Sequence, residues 1–446
     1  MPNMLSQQLK RNGIWIFVSL LCYGLFAYDL ERTNFYRLLL LYTGLFVSFL
    51  SLVFLNKNNT KLLIILSFAF RAVLLFSIPN LSDDFFRFIW DGRLIFEGLN
   101  PYLYLPESEP NLVADGQQLY EGMGAMNGSH YTCYPPLNQF AFLMPALFFS
   151  KQFFASTITM RLILIAADVG VLYFGKKLLD LLKLPNYTLF LYLLNPFIIL
   201  ELTGNLHFEG LMLFLLAVAL YYLFTNRWKL SAVFFSLSVS VKLIPLLFLP
   251  LFLKKLGLKK SVSYFTIVAL LNLLYFAPFF SFSLLENFMS SIHLYFQNFE
   301  FNASFYYIIR EIGYAIKGYN IIHSVGSVTP FLVFFAVLAL SYFRKNNSFE
   351  TLLSSMLFSI VIYYSLASVV HPWYIALPLF LSVFTGYRFP LVWSFFIMLS
   401  YAAYQEATYQ ENLYLVAIEY SVVYAVFIYE IMVGSIGYVQ VKKSLA

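Results

Sequence analysis

The feature that most limits this chain is a succession of uncharged apolar runs, each close to the length of a membrane crossing. A helix needs about 20 mostly apolar residues to cross a hydrocarbon layer of roughly 30 Å. Such runs occur at 13–29, 36–55, 61–78, 154–175, 186–201, 207–225, 230–253, 261–280, 321–343, 350–370, 371–387, 389–404 and 412–437. A shorter run at 138–150 reads as a half-helix or re-entrant piece. The 230–253 run carries Lys242, Pro245 and Pro250, which predicts two short helices there rather than one. The runs are continuous rather than alternating, which excludes a β-barrel. They predict an all-α, polytopic transmembrane helical bundle of about 13–14 spans.

Composition closes the remaining alternatives. The chain is 61% hydrophobic and 11% charged, against roughly 45–50% and about 25% in soluble domains. A soluble chain could not cover its surface with so few charges. Fifty-one Phe, 34 Tyr and 5 Trp exclude disorder. Cys22 and Cys133 form neither a metal-ligand spacing nor a disulfide framework. No GxxxxGK[ST], GxGxxG, HExxH or CxxC pattern occurs, which argues against an ATP-driven pump, a nucleotide-binding enzyme or a structural zinc site. The first run lacks a small-residue cleavage site and reads as a retained helix. With no linker or repeat to divide it, residues 1–446 are expected to form a single integral-membrane domain.

Charge placement sets the orientation. Eighteen bases cluster in short polar breaks: Lys10, Arg11, Lys57, Lys61, Lys176, Lys177, Lys183, Arg227, Lys229, Lys254, Lys255, Lys259, Lys260, Arg344, Lys345, Arg388, Lys442 and Lys443. By the positive-inside rule these breaks are cytoplasmic, as are both termini. That parity requires 230–253 to cross twice, or the 138–150 piece to enter the count. Two long outer breaks remain, 79–137 and 281–320. The first holds eight acids against two bases, a balance of −6, so the net +6 of the whole chain hides an acidic outer loop. The positive charge therefore implies no nucleic-acid partner, and chemistry is expected near that loop.

The loop opens with Ser82-Asp83-Asp84-Phe85-Phe86-Arg87-Phe88-Ile89-Trp90-Asp91-Gly92-Arg93. Adjacent carboxylates at a membrane boundary are costly unless solvated or paired, and Arg87 and Arg93 are their nearest partners in sequence. If 84–97 is helical, Asp84, Arg87 and Asp91 share a face, and Phe85, Phe86, Phe88 and Trp90 suit a helix lying in the interface. Gly98-Leu99-Asn100-Pro101-Tyr102 would end it. A carboxylate here could serve as general base for a hydroxyl nucleophile and an arginine could hold a phosphate. An ion-paired helix that merely anchors a loop accounts for the same residues. Tyr134-Pro135-Pro136 predicts an extended entry into the half-helix.

Polar residues inside apolar runs form a second set. Asn195-Pro196 breaks one run, followed by Glu201-Leu202-Thr203-Gly204-Asn205-Leu206-His207-Phe208-Glu209 on the outer side, either a ligand site or a self-satisfied turn. Lys242 inside a run is a functional-site candidate. Arg71 lies within the third run. Arg161 and Asp168 stand seven residues apart on one helix face, a structural pairing through neighbours. His371-Pro372-Trp373-Tyr374 starts a run, as a sugar or phosphate contact or as an aromatic belt with a helix-starting proline. Phe299–Glu311 reads as an amphipathic helix capped near Asn302 or Ser304.

In this order the motifs resemble the GT-C superfamily of membrane glycosyltransferases, most nearly the polyprenol-phosphate-mannose-dependent α-mannosyltransferases of bacteria. The resemblance runs from the acidic pair through Trp90-Asp91-Gly92-Arg93, Gly98-x-Asn100-Pro101-Tyr102, Tyr134-Pro135-Pro136, Asn195-Pro196 and Gly204-Asn205-x-His207. It continues in Lys242-x-x-Pro245, Phe301-Asn302-x-Ser304 and His371-Pro372-Trp373-Tyr374, covering roughly residues 60–385. It implies transfer of a hexosyl, in that family mannosyl, residue from a polyprenyl-phosphate donor to a glycan or glycolipid acceptor at the outer face of the cell membrane, with inversion. Asp83 or Asp84 would be the base. Arg87, Arg93, Lys242 and His371 would hold the donor phosphate, and His207 and Glu209 would line the cleft. Glu209 is longer than the acid that relatives often carry there. No resident cofactor is expected beyond the donor and the surrounding lipids, and the acidic pair leaves a divalent metal open. The alternative is a transporter or flippase of lipid-linked sugars, lined by Arg71, Arg87, Glu201 and Lys242.

Overall fold

A computed structural model describes residues 2–405 and 409–433. Lys442 and Lys443, and the end of the 412–437 run, lie outside the described residues. Regular structure among the described residues is helical, with one isolated bridge between Phe301 and Val369.

The predicted apolar runs are helices, but of unequal length. Among the described residues, six are long and apolar enough to cross a membrane: Phe35–Leu55, Phe153–Leu182, Leu258–Phe279, Ile322–Phe343, Phe349–Leu366 and Leu413–Val433. A seventh candidate is the pair Asn186–Leu193 and Pro196–Gly204, bent by 46°. The shorter apolar helices include Asn12–Tyr28, Pro136–Phe149, Glu209–Phe224, Trp228–Val241, Pro372–Thr385 and Phe389–Tyr404. The 61–78 run is helical only over Thr60–Val73. Pro79 disfavours helix at the residue before it, and beyond it Asn205 Oδ1 accepts the N–H groups of Asn80 and Leu81 at 3.3 and 3.1 Å.

The described chain divides into two compact units. The first comprises the stretch up to Ser82, Leu164–His207 and the part from Ser382 onward. Its apolar interior is organised around paired polar groups. Arg71, fully buried, meets Asp168 at 2.7 Å and donates to the carbonyls of Ser67 and Leu193 at 2.9 and 2.6 Å. The same-helix relation between Arg161 and Asp168 does not supply this partner: seven residues rise about 10 Å along a helix, whereas Arg71 reaches Asp168 from the neighbouring helix. Asn195 makes the helix break stable by accepting the N–H of Phe197 at 3.0 Å and donating to Ser394 Oγ at 3.0 Å. The π-helical turn Ile199–Gly204 follows. Within it Glu201 accepts the hydroxyl of Tyr401 at 2.7 Å, and His207 Nε2 stands 3.8 Å from Glu201 Oε2.

The second unit comprises Asp83–Ile163 and Phe208–Leu381. The Asp84–Phe96 helix forms as expected and stops at Gly98, whose φ of 75° a side chain would disfavour. Phe85, Phe88, Ile89 and Trp90 are buried in protein and Phe86 is half-buried, and the Pro136–Phe149 helix packs along this helix. Phe88 stacks on Phe142 with centroids 4.5 Å apart, and Gly92 lets the backbones touch: a Cβ there would sit 2.0 Å from the Phe142 carbonyl oxygen. Pro135 is extended and Pro136 begins the helix. The 230–253 run is the helix Trp228–Val241 and the 3-10 stretch Ile244–Phe252, with extended backbone at Lys242 between them.

Candidate active site

The acidic pair sits at the head of the second unit's first helix. Asp83 occupies the N-cap position and Asp84 the first turn, where the helix dipole favours a negative charge. Arg87 pairs with Asp91 one turn on, at 2.7 Å, and donates to the carbonyls of Asn127 and His130 at 2.7 and 2.9 Å. Asp91 is held from its other oxygen by Gln139 Nε2 at 2.9 Å, which also donates to Thr132 Oγ1 at 2.8 Å. Arg93 fastens the last turn to the Ala114 carbonyl and to Asp115, at 3.1 Å from its carboxylate. Both arginines are buried and clamp the loop onto the helix.

With Arg87 so engaged, Asp84 takes a neutral contact: Asn127 Nδ2 donates to its Oδ1 at 3.3 Å. Asp84 is half-buried. Its pKa is pushed up to about 6, chiefly by burial, with Lys242 and the Asn127 amide pulling the other way and Asp83 and Glu209 adding to the rise. Cys133 lies in the same electrostatic neighbourhood, and burial pushes its thiol up to about 11, so it stays protonated near neutral pH.

Lys242 faces this group from the helix break. Its ammonium donates to Glu209, and its Nζ lies 5.8 Å from the centre of the Tyr134 ring. Extended backbone at membrane depth is tolerated where protein or a polar cavity surrounds it, and here it carries the lysine. His371 is also within electrostatic range of Lys242. Its ring stacks on Trp373 (centroids 4.5 Å apart, planes 9° apart), with Phe301 tilted against it at 5.0 Å and Tyr374 edge-on at 5.4 Å. The bridge holding Phe301 beside it runs from Phe301 N–H to the Ser368 carbonyl (3.0 Å) and from Val370 N–H to the Phe301 carbonyl (2.8 Å).

The second unit thus brings Asp83, Asp84, Lys242, Glu209 and His371 from segments up to 288 residues apart, with Arg87 and Arg93 bonded to the loop beside them. His207 belongs to the first unit, with Glu201. Asn127 and Gln139 are not legible as site residues in the sequence, because they meet Asp84 and Asp91 across 43 and 48 residues. Among the described residues, no three His, Cys, Asp or Glu side chains are grouped as metal ligands.

A carboxylate that ionises near neutral pH, a lysine beside it and a stacked imidazole with aromatic walls can deprotonate a hydroxyl, hold a phosphate and face a sugar ring. Comparison with known proteins points the same way. The family described as "Alpha-(1->6)-mannopyranosyltransferase, N-terminal domain" matches residues 23–256. Alpha-(1->6)-mannopyranosyltransferase A of Mycobacterium tuberculosis is 25% identical over 177 residues, 38% of this chain and 32% of that protein. The match thus spans about a third of the length of that relative.

Proposed function

Because the chain belongs to the alpha-(1->6)-mannopyranosyltransferase family, we propose that it transfers a mannosyl residue from a polyprenyl-phosphate donor to a glycan or glycolipid acceptor at the outer face of the membrane, inverting the anomeric centre. The observation that carries this reading is the half-buried Asp84, bonded to a neutral amide and facing the Lys242–Glu209 pair. Asp84 takes the proton from an acceptor hydroxyl as that oxygen bonds to the anomeric carbon. The bond from that carbon to the phosphate oxygen breaks, and the lipid phosphate leaves with the electron pair. Lys242 lies where it can meet the negative charge that grows on the departing phosphate. His371 presents an aromatic-backed imidazole to the donor, and Asp83 caps the base's helix. The embedding of nearly the whole chain in apolar helices suits a donor that never leaves the bilayer, and the reaction so written needs no resident cofactor.

The test uses purified full-length protein in nanodiscs, with radiolabelled sugar on a polyprenyl-phosphate carrier and a panel of donors and acceptors, each with and without chelator. Transfer by the wild type is expected, with loss of about 10²–10⁴-fold on Asp84→Asn, the range of general-base catalysis. Wild-type rates in both Asp83→Asn and Asp84→Asn would sink the mechanism. Movement of intact lipid-linked sugar across the bilayer without transfer would make the protein a flippase.

A further inference from the structure

The helix Phe305–Lys317 in the second outer break carries an exposed apolar stripe. Ile308, Ile309, Ile312 and Ile316 recur at helical spacing on one face, and they are 59, 36, 51 and 76% exposed. A stripe of this kind on a fixed helix requires a partner, and the first two turns of the helix are engaged on another side, whereas Tyr314 further along is 45% exposed. Tyr306 and Tyr307 are buried, and Glu300 accepts from the Tyr306 hydroxyl, from Asn320 and from Arg310, the last at 2.6 Å. Asn320 also accepts the Tyr306 hydroxyl at 3.0 Å. This network fixes the roll of the helix, so the apolar stripe cannot turn inward.

The chain itself fixes what lies next to that stripe. The helix ends on Gly318 in the left-handed conformation, and the candidate span Ile322–Phe343 begins five residues after Lys317. Five residues reach no more than about 18 Å. The link is also folded back: a Cβ on Gly313 would stand 2.6 Å from the Ile321 side chain. The amphipathic helix is therefore held at the head of a span whose own Phe331 and Phe335 are 65 and 63% exposed. The geometry points to this helix being a bilayer-surface element, with its isoleucine stripe seated in the lipid at the headgroup boundary and Glu300, Arg310 and Asn320 on its protein side. The occupant is lipid rather than a protein partner, because the stripe is tied by a short link to a candidate span that is itself long and apolar enough to cross a membrane and exposes Phe331 and Phe335.

The experiment places single tryptophans on the full-length protein and reads their quenching by phosphatidylcholine brominated on its acyl chains, against unbrominated lipid and the parent protein. Ile308→Trp, Ile312→Trp and Ile316→Trp are expected to be quenched several-fold more than Glu311→Trp and Lys317→Trp. Equal quenching on both faces, or none on the isoleucine face, would overturn the inference. So would a disulfide between two copies through Ile312→Cys, which would assign the stripe to a second copy of this chain. Because the readout needs no transfer activity, it stands or falls apart from the proposed reaction. An Arg310→Gln variant, which loosens the roll, is expected to narrow the difference between the two faces while leaving the isoleucine face quenched.

Discussion

Lys242 and Glu209 are the site's ion pair, with side-chain exposures of 20 and 4%. Removing one partner of a largely buried pair leaves an uncompensated charge, at a cost of about 3–5 kcal/mol, whereas replacing both with neutral groups can be nearly neutral. Lys242→Met alone and Glu209→Gln alone are expected to lower the thermal unfolding temperature in nanodiscs, and the double variant to recover most of it without recovering transfer. Recovery of both would remove Lys242 from the chemistry. Asp84 makes the complementary case. Its carboxyl ionises near pH 6 rather than near the usual carboxylate value, so transfer should fall about tenfold per pH unit below 6 and level off above it. The same burial works against the ionised form in the folded protein. Below the ordinary carboxylate range the group is protonated both folded and unfolded, and the penalty appears only as pH rises towards and past 6. Asp84→Asn should thus be inactive yet at least as heat-stable as wild type at pH 8. An unstable Asp84→Asn would mean that the carboxylate holds the fold instead.

The Asp84–Phe96 helix reaches its working position through contacts with the helix beside it. Gly92 is the closest approach, and a methyl group there must displace the Phe142 backbone rather than a pliable side chain. Gly92→Ala is expected to destabilise by about 1–3 kcal/mol, as overpacking does, and to stretch the Asp91–Gln139 contact. Thermal unfolding of the variant measures the first effect. A pH profile of transfer measures the second: if the helix shift reaches Asp84, the midpoint moves from 6. The start and stop of this helix were readable from the chain, since Asp84 favours a first turn and Gly98 a terminus. Its surroundings were not. Among the aromatic residues that suited a membrane surface, Phe88 packs on the Pro136–Phe149 helix and Phe85 on Phe153, because amphipathic pattern specifies an apolar neighbour and does not say whether that neighbour is lipid or protein. The helix Phe305–Lys317 has the same kind of pattern and an exposed face.

For the molecule as a whole, the arrangement of lysines and arginines predicts which ends of the helices meet the cytoplasm. Cysteines introduced at Glu121 and Lys259 into a cysteine-free background separate the two faces. A membrane-impermeant maleimide should label the first in intact cells and the second only after lysis. The opposite pattern would invert the site and with it the proposed use of an outer-leaflet donor. The sequence by itself determined that this chain is an all-helical membrane protein, where its helices break, and that its acids gather in one loop. Those properties follow from local composition: apolar length, proline and glycine stops, and charge that cannot enter hydrocarbon. It also supplied the ordered motifs that carry the family resemblance. Only the tertiary structure decided which distant groups meet. Arg71 is taken by Asp168, Lys242 by Glu209, and Arg87, beyond its helical neighbour Asp91, by the carbonyls of Asn127 and His130. Asp84 meets Asn127 and lies in the field of Lys242. The physical reason is that each scarce charge in an apolar interior takes its partner wherever packing brings one within about 3 Å, and separation along the chain carries no trace of that distance.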